Sequence, residues 1–147
     1  MKSKLLLVDD SQIVLNIIDK TLEGISENDK ATNGAEAISR ISQENYDGVF
    51  LDISMPDFDG FQVLEVLNQS GIDIPVTVLT GSDDEKTIRK VCEYGADYIE
   101  KPVKPEIIRE KALSMISRSN QKNNIGNNIG YIVPEYDEEA RSFKRSA

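Results

Sequence analysis

The sequence predicts an α/β protein: a doubly wound, five-stranded parallel sheet with helices on both faces. Short apolar runs alternate with stretches of helical periodicity along residues 4–117. Such a strand–helix alternation closes by right-handed crossovers, which leave the strands parallel and place helices on both sides of the sheet. The length of 147 residues suits one domain of about five such units.

Lys4–Val8 is a short apolar run fit for a buried strand, and Ser11–Leu22 then sets Ile13, Val14, Ile17, Ile18 and Leu22 at helical spacing. The second strand is expected in Asn28–Ala31. That stretch is polar, and its place between two helices is what supports it; an edge strand tolerates such a sequence. Gly34–Glu44 offers Ala37, Ile38 and Ile41 as a helix face, Gly48–Leu51 is the third strand, and Phe61–Leu67 is helical. Val76–Leu79 reads as a strand, Glu85–Tyr94 as a helix and Tyr98–Glu100 as a short strand. Pro105–Ser117 is a helix opened by proline at its first position.

Composition narrows the function. No apolar run approaches the roughly 20 residues needed to cross a bilayer, and Leu5–Val8 is too short for a signal-peptide core, so a cytoplasmic protein without membrane contact is expected. A single cysteine, Cys92, excludes an intrachain disulfide, and the chain has no histidine. A His/Cys zinc site is therefore excluded, and any metal must be a hard cation bound by oxygen. The formal charge is −9. Residues 120–147 balance Lys122, Arg141, Lys144 and Arg145 against Glu135, Asp137, Glu138 and Glu139, so the whole deficit lies in residues 1–119. An acidic domain argues against direct nucleic-acid binding, which needs a basic surface, and favours a protein partner or a cation.

In open parallel sheets ligands bind at the carboxyl ends of the strands, where the topology changes direction. The first strand ends in Asp9-Asp10, the third in Asp52, the fourth in Thr80-Gly81 and the fifth in Lys101-Pro102. Each has an ordinary reading taken singly. Asp10 could cap the following helix, Asp52 could lead into a loop, Thr80 could be a β-branched strand residue, and Lys101 could be a solvated lysine. The conjunction changes this. Three acids at one sheet edge repel unless a cation sits among them, and one lysine supplies only part of the charge; Mg²⁺ is the natural guest.

These residues carry a resemblance to response-regulator receiver domains that runs from Lys4 to about Ile116. It rests on Leu-Leu-Val-Asp-Asp at 6–10, Leu-Asp-Ile-Ser-Met-Pro-Asp-Phe-Asp-Gly at 51–60, Val-Leu-Thr-Gly at 78–81 and Gly-Ala-Asp-Tyr-Ile-Glu-Lys-Pro at 95–102. The resemblance implies a flavodoxin-like (βα)5 fold with strand order 2-1-3-4-5. It implies a phosphoacceptor at Asp52, Mg²⁺ held by Asp10 and Asp52, by Asp9 largely through water and by the Ser54 carbonyl, and phosphoryl oxygens held by Thr80 and Lys101. It implies a switch made of Thr80 and Tyr98, a cis Lys101-Pro102 bond, and an output face formed by the fourth helix, fifth strand and fifth helix. The chain would not be an enzyme in the ordinary sense but a switch in a two-component phosphorelay. Its donor would be a histidine kinase or phosphotransfer protein, its output a downstream protein target, and a homodimer on activation is compatible with the family. With no histidine of its own, the chain cannot be the phosphohistidine carrier.

Residues 1–118 are expected to form the receiver and residues 119–147 a polar, Asn-rich linker or tail, with a short helix over 134–145. One alternative makes the chain the N-terminal receiver of a longer regulator with an effector domain beyond residue 147. Another is a Mg²⁺-dependent aspartyl phosphatase, which would normally carry an Asp-x-Asp pair after the first strand rather than the adjacent Asp9-Asp10. A third is an interaction module whose acid cluster has lost its chemistry.

Overall fold

The computed structural model describes residues 2–81 and 84–125 together with 136–137 and 142–143. Five parallel strands stand in the order β2-β1-β3-β4-β5: β1 (Lys4–Val8), β2 (Glu27–Ala31), β3 (Gly48–Asp52), β4 (Val76–Thr80) and β5 (Asp97–Glu100). Between and after them run α1 (Gln12–Thr21), α2 (Gly34–Gln43), α3 (Gly60–Gln69), α4 (Glu85–Glu93) and α5 (Pro105–Ile125). Among the described residues no helix is long and apolar enough to cross a membrane.

Alternation along the strands divides the core into two layers. Leu6, Val8, Val49, Leu51, Val76 and Val78 face one layer, closed by Ala37 and Ile41 of α2, Val63, Leu64 and Leu67 of α3, and Val91 of α4. Leu5, Leu7, Phe50, Leu79 and Ile99 face the other, closed by Leu15, Ile18 and Leu22 from α1 and its end and by Ile108, Ala112 and Met115 of α5. The three central strands are therefore apolar on both sides, whereas polar β2 lies at the edge, as its sequence requires.

Two expectations for the C-terminal part are corrected. The predicted α5 ended at Ser117 and a linker began at 119, yet the helix continues to Ile125 across that boundary. The extra turns are held by contacts that periodicity does not reveal: Ser119 Oγ donates to Asp47 Oδ1 at 2.7 Å, and Lys122 Nζ donates to the Asp73 carbonyl at 3.0 Å and pairs with its carboxylate. Tertiary contacts thus override weak helix propensity. The helix expected over 134–145 is not seen in its described residues, since Tyr136–Asp137 and Ser142–Phe143 pair as short antiparallel strands. An isolated helix of that length is marginal, and the aromatic residues paired there suit strands better.

Candidate functional site: an acid cluster at the carboxyl edge

The carboxyl ends of β1, β3, β4 and β5 bring together Asp9, Asp10, Asp52, Thr80 and Lys101. Carboxylate oxygens of Asp9, Asp10 and Asp52 lie within 4.8 Å of one another. Asp9 is fully buried and Asp52 is 2% exposed, while Asp10 faces solvent. Asp10 is not the helix cap it could have been: Ser11 caps α1 by accepting from the Val14 N–H. The adjacent Asp10 thus has no capping duty and stays at the cluster.

Backbone groups orient the two buried acids. The Ser11 N–H donates to Asp9 Oδ1 at 2.9 Å, and the Ser54 N–H donates to Asp52 Oδ1 at 3.0 Å. Lys101 reaches across the edge, its Nζ 3.1 Å from Asp9 Oδ2 and 3.5 Å from Asp52 Oδ1. Apart from that ammonium, Oδ2 of the buried Asp9 has no partner among the described residues. The Lys101-Pro102 peptide bond is cis, and the Lys101 N–H donates to the Thr80 carbonyl at 2.7 Å, tying β5 to the end of β4. Thr80 is buried at 1% exposure.

Burial pushes the Asp52 carboxyl up to about 6, with the Asp9 and Asp10 charges adding to the effect, while the Ser54 N–H and Lys101 oppose it. Burial also disfavours the Lys101 ammonium, but the adjoining Asp9 and Asp52 carboxylates outweigh it and hold the lysine above its ordinary value. Three acids facing one ammonium leave a deficit of positive charge. A buried Asp9 oxygen approached by the lysine alone, all-oxygen donors and this deficit together fit a hard divalent cation such as Mg²⁺.

Sequence reasoning missed two glycines that shape this edge. A Cβ at Gly60 would stand 2.6 Å from the Asp52 carbonyl oxygen and 2.7 Å from Ile53 Cα, so the start of α3 seats directly on the backbone of the acid-bearing strand. The Gly60 N–H donates to the Ile53 carbonyl at 3.2 Å. A Cβ at Gly34 would meet Phe58 of the loop between β3 and α3 at 2.3 Å, which brings that loop against the start of α2. Gly60 closes the 51–60 motif, and its signal was a glycine directly after the Asp59 that caps α3. Ser54 is exposed next to Asp52, and Tyr98 is half-buried, packed against the layer that holds α3 and α4. Beside Tyr98 lies a cleft of about 330 Å³ lined also by Glu100, Lys101, Pro102 and Ile107.

Residues 5–113 match the family described as the response regulator receiver domain. The chain belongs to that family. This receiver domain is 34% identical over 128 residues to the two-component response regulator ARR10 of Arabidopsis thaliana, an alignment covering 84% of this chain and 23% of that protein. It is 31% identical over 121 residues to the alkaline phosphatase synthesis transcriptional regulatory protein PhoP of Bacillus subtilis, covering 81% of this chain and 50% of PhoP. This chain thus spans half or less of the length of these relatives. Among solved structures, the receiver domain of Francisella response regulator 1452 superposes with a TM-score of 0.75 at 27% identity, over 80% of this chain and 98% of that one. A CheY-like receiver domain protein from Methanospirillum hungatei gives 0.76 at 26% identity, over 83% and 99%. Receiver domains are phosphoacceptor switches of two-component response regulators, which take phosphoryl groups from histidine kinases and act on downstream effectors.

Proposed function

We propose that this receiver domain accepts a phosphoryl group on Asp52 and uses it to switch the surface formed by α4, β5 and α5. The observation that carries the reading is the charge imbalance at the sheet edge: two buried carboxylates and a third beside them, against one ammonium. Asp52 is the acceptor because it is the buried acid at the centre of the edge, at the end of β3. Asp9, Asp10, Asp52 and the Ser54 carbonyl are the groups that hold Mg²⁺. When bound, that cation neutralises the acids and the charge on the transferring group.

The chain's own residues do the rest by position. The Ser54 N–H and Lys101 both lie at Asp52 Oδ1, so Oδ2 is the oxygen for in-line attack on the donor phosphorus, the P–N bond to the donor imidazole breaking as the O–P bond forms. Lys101 rests between Asp9 and Asp52 and follows the negative charge to the phosphoryl oxygens once Asp52 is phosphorylated. Thr80 supplies a hydroxyl on the next strand. Tyr98 takes up the change on β5, where the neighbouring cleft gives the ring room. The donor is a histidine kinase or a phosphotransfer protein, and Ile13 and Ile17, both exposed on the helix that follows Asp9-Asp10, offer it an apolar foothold. The target is a protein that reads α4, β5 and α5, and a homodimer through that face belongs to the same reading, as does a cytoplasmic location.

Labelling with a phosphohistidine donor in Mg²⁺, followed by mass mapping of the aspartyl phosphate, tests the proposal. One phosphoryl group per chain, retained on Asp52, is expected. Turnover of a phosphate ester in stoichiometric excess would favour an aspartyl phosphatase instead. The greater length of ARR10 and PhoP supports a second reading in which the receiver is the switching part of a longer regulator; the length of the intact reading frame decides it.

A further inference from the structure

α4 is the least anchored helix of the output face. Val91 is its one buried residue, whereas α5 buries Ile108, Ala112 and Met115. Besides the apolar layer the two helices share, a pair of polar rungs joins α4 to α3. Lys90 Nζ stands over the Phe61 ring, 4.2 Å from its centroid, and the Tyr94 hydroxyl donates to Glu65 Oε2 at 2.5 Å. Phe61 and Glu65 are four residues apart on α3, and Lys90 and Tyr94 are four apart along α4 and its C-cap, so the rungs stack one helical turn from each other. Between the carboxyl ends of the two helices a groove of about 380 Å³ opens, lined by Leu64, Leu67, Ile72, Ile74, Tyr94 and Arg118. Phe61 and Tyr94 also pack on the apolar layer that holds Leu64, Leu67 and Val91. α3 in turn is fixed to the acid-bearing strand, because Gly60 seats on the Asp52–Ile53 backbone.

We propose that Phe61 and Glu65 of α3 form a two-rung clasp on Lys90 and Tyr94 that holds α4 in its resting position and so sets how readily phosphorylation shifts the output face. This rests on the reading that Asp52 is the acceptor and that α4 belongs to the switched surface. A contact made in the resting position alone disfavours the shifted one, and by linkage it disfavours whatever ligand or modification prefers the shifted one by the same factor. The clasp therefore opposes phosphoryl uptake. The ring of Lys90's partner and the carboxylate of Tyr94's partner both lie on α3, so the helix seated on the acceptor strand is also the one that restrains α4.

The test is hydrogen exchange on the full chain carrying Tyr94→Phe and Lys90→Gln together, with labelling by acetyl phosphate in Mg²⁺ measured on the same protein. Tyr94→Phe keeps the ring in the groove and removes the hydroxyl; Lys90→Gln removes the charge. Amides of α4 are expected to exchange about tenfold faster than in the wild type, with α1 and α2 unchanged, and phosphoryl uptake is expected to rise several-fold. Unchanged α4 exchange overturns the clasp, and faster exchange without faster uptake overturns its regulatory role. The same pair of substitutions in an Asp52→Asn background separates the two readings. Faster α4 exchange there upholds the clasp independently of the acceptor, whereas labelling that persists in Asp52→Asn brings down the acceptor reading alone.

Discussion

Two regions of one sheet carry clusters of charge and treat them in opposite ways. Towards the amino-terminal side of β1 and β2, Lys4 pairs with Glu44 at 2.9 Å and Asp29 at 3.4 Å. The Tyr46 hydroxyl bridges the same two acids at 2.7 and 3.0 Å, and Arg40 lies near Asp29 and Glu36. Two cations and a hydroxyl face three acids there, although Arg40 Nε has no hydrogen-bond acceptor among the described residues. Although burial works the other way, the Tyr46 and Lys4 contacts hold Asp29 below the ordinary carboxylate value. At the carboxyl edge, Asp9, Asp10 and Asp52 share one ammonium, and Asp52 is held well above that value. Paired charges serve the fold; the deficit at the other end is what a cation and a phosphoryl group can fill.

The contrast breaks most sharply at Asp52. Asp52→Asn is expected to abolish labelling by a phosphodonor while leaving the fold intact, because the exchange is nearly isosteric at a strand end. It should also stabilise. A carboxyl whose folded value is raised to about 6 from 3.8 binds more protons folded than unfolded between those values. Its ionisation therefore lowers stability as pH rises from about 4 to 6, a loss on the order of 1–3 kcal/mol by pH 7 without added metal. Chemical unfolding across pH 4–7 should show that slope in the wild type and its disappearance in Asp52→Asn; an unchanged slope would place the raised acid elsewhere.

Asp10→Ala is the next largest break. Mg²⁺ affinity and phosphorylation should fall together, the affinity by at least the roughly 10–100-fold that loss of even an outer-shell partner costs. Normal Mg²⁺ titration of that variant would remove Asp10 from the site. Lys101→Arg keeps the charge but exchanges a compact ammonium for a planar fork. Some phosphoryl acceptance should survive while partner binding after phosphorylation is lost, and normal partner binding would show that the lysine does not couple the site to β5. The smallest effect belongs to the paired cluster. Tyr46→Phe removes the donor shared by Asp29 and Glu44 and should cost about 1 kcal/mol in denaturant unfolding, with phosphoryl uptake unchanged.

The central strands and the acids that end them were legible in the sequence because both signals are local. Leu5–Val8 is a continuous apolar run and Val76–Leu79 is broken only by Thr77, while Asp9 and Lys101 stand directly after strands and Asp52 and Thr80 close them. β2 was legible by position rather than composition, since Glu27–Lys30 of an edge strand has little to bury. What escaped was non-local. The last turns of α5 depend on Asp47 and Asp73, far away in sequence, and the need for glycine at position 60 comes from backbone approach across the β3–α3 junction. The contacts of Lys90 with Phe61 and of Tyr94 with Glu65 are non-local too, since they join two helices far apart in sequence.

If the carboxyl edge is short of positive charge for a cation to fill, Mg²⁺ must stabilise the folded chain, which a Mg²⁺ titration of unfolding free energy at pH 7 measures. A ligand bound by the folded state alone stabilises it saturably, by about 2.7 kcal/mol at a hundred times its dissociation constant. Such a curve is expected for the wild type and for Tyr46→Phe, and one displaced to at least about tenfold higher Mg²⁺ for Asp10→Ala. Absence of stabilisation in the wild type, or an equal gain in Asp10→Ala at the same Mg²⁺, would contradict that charge deficit.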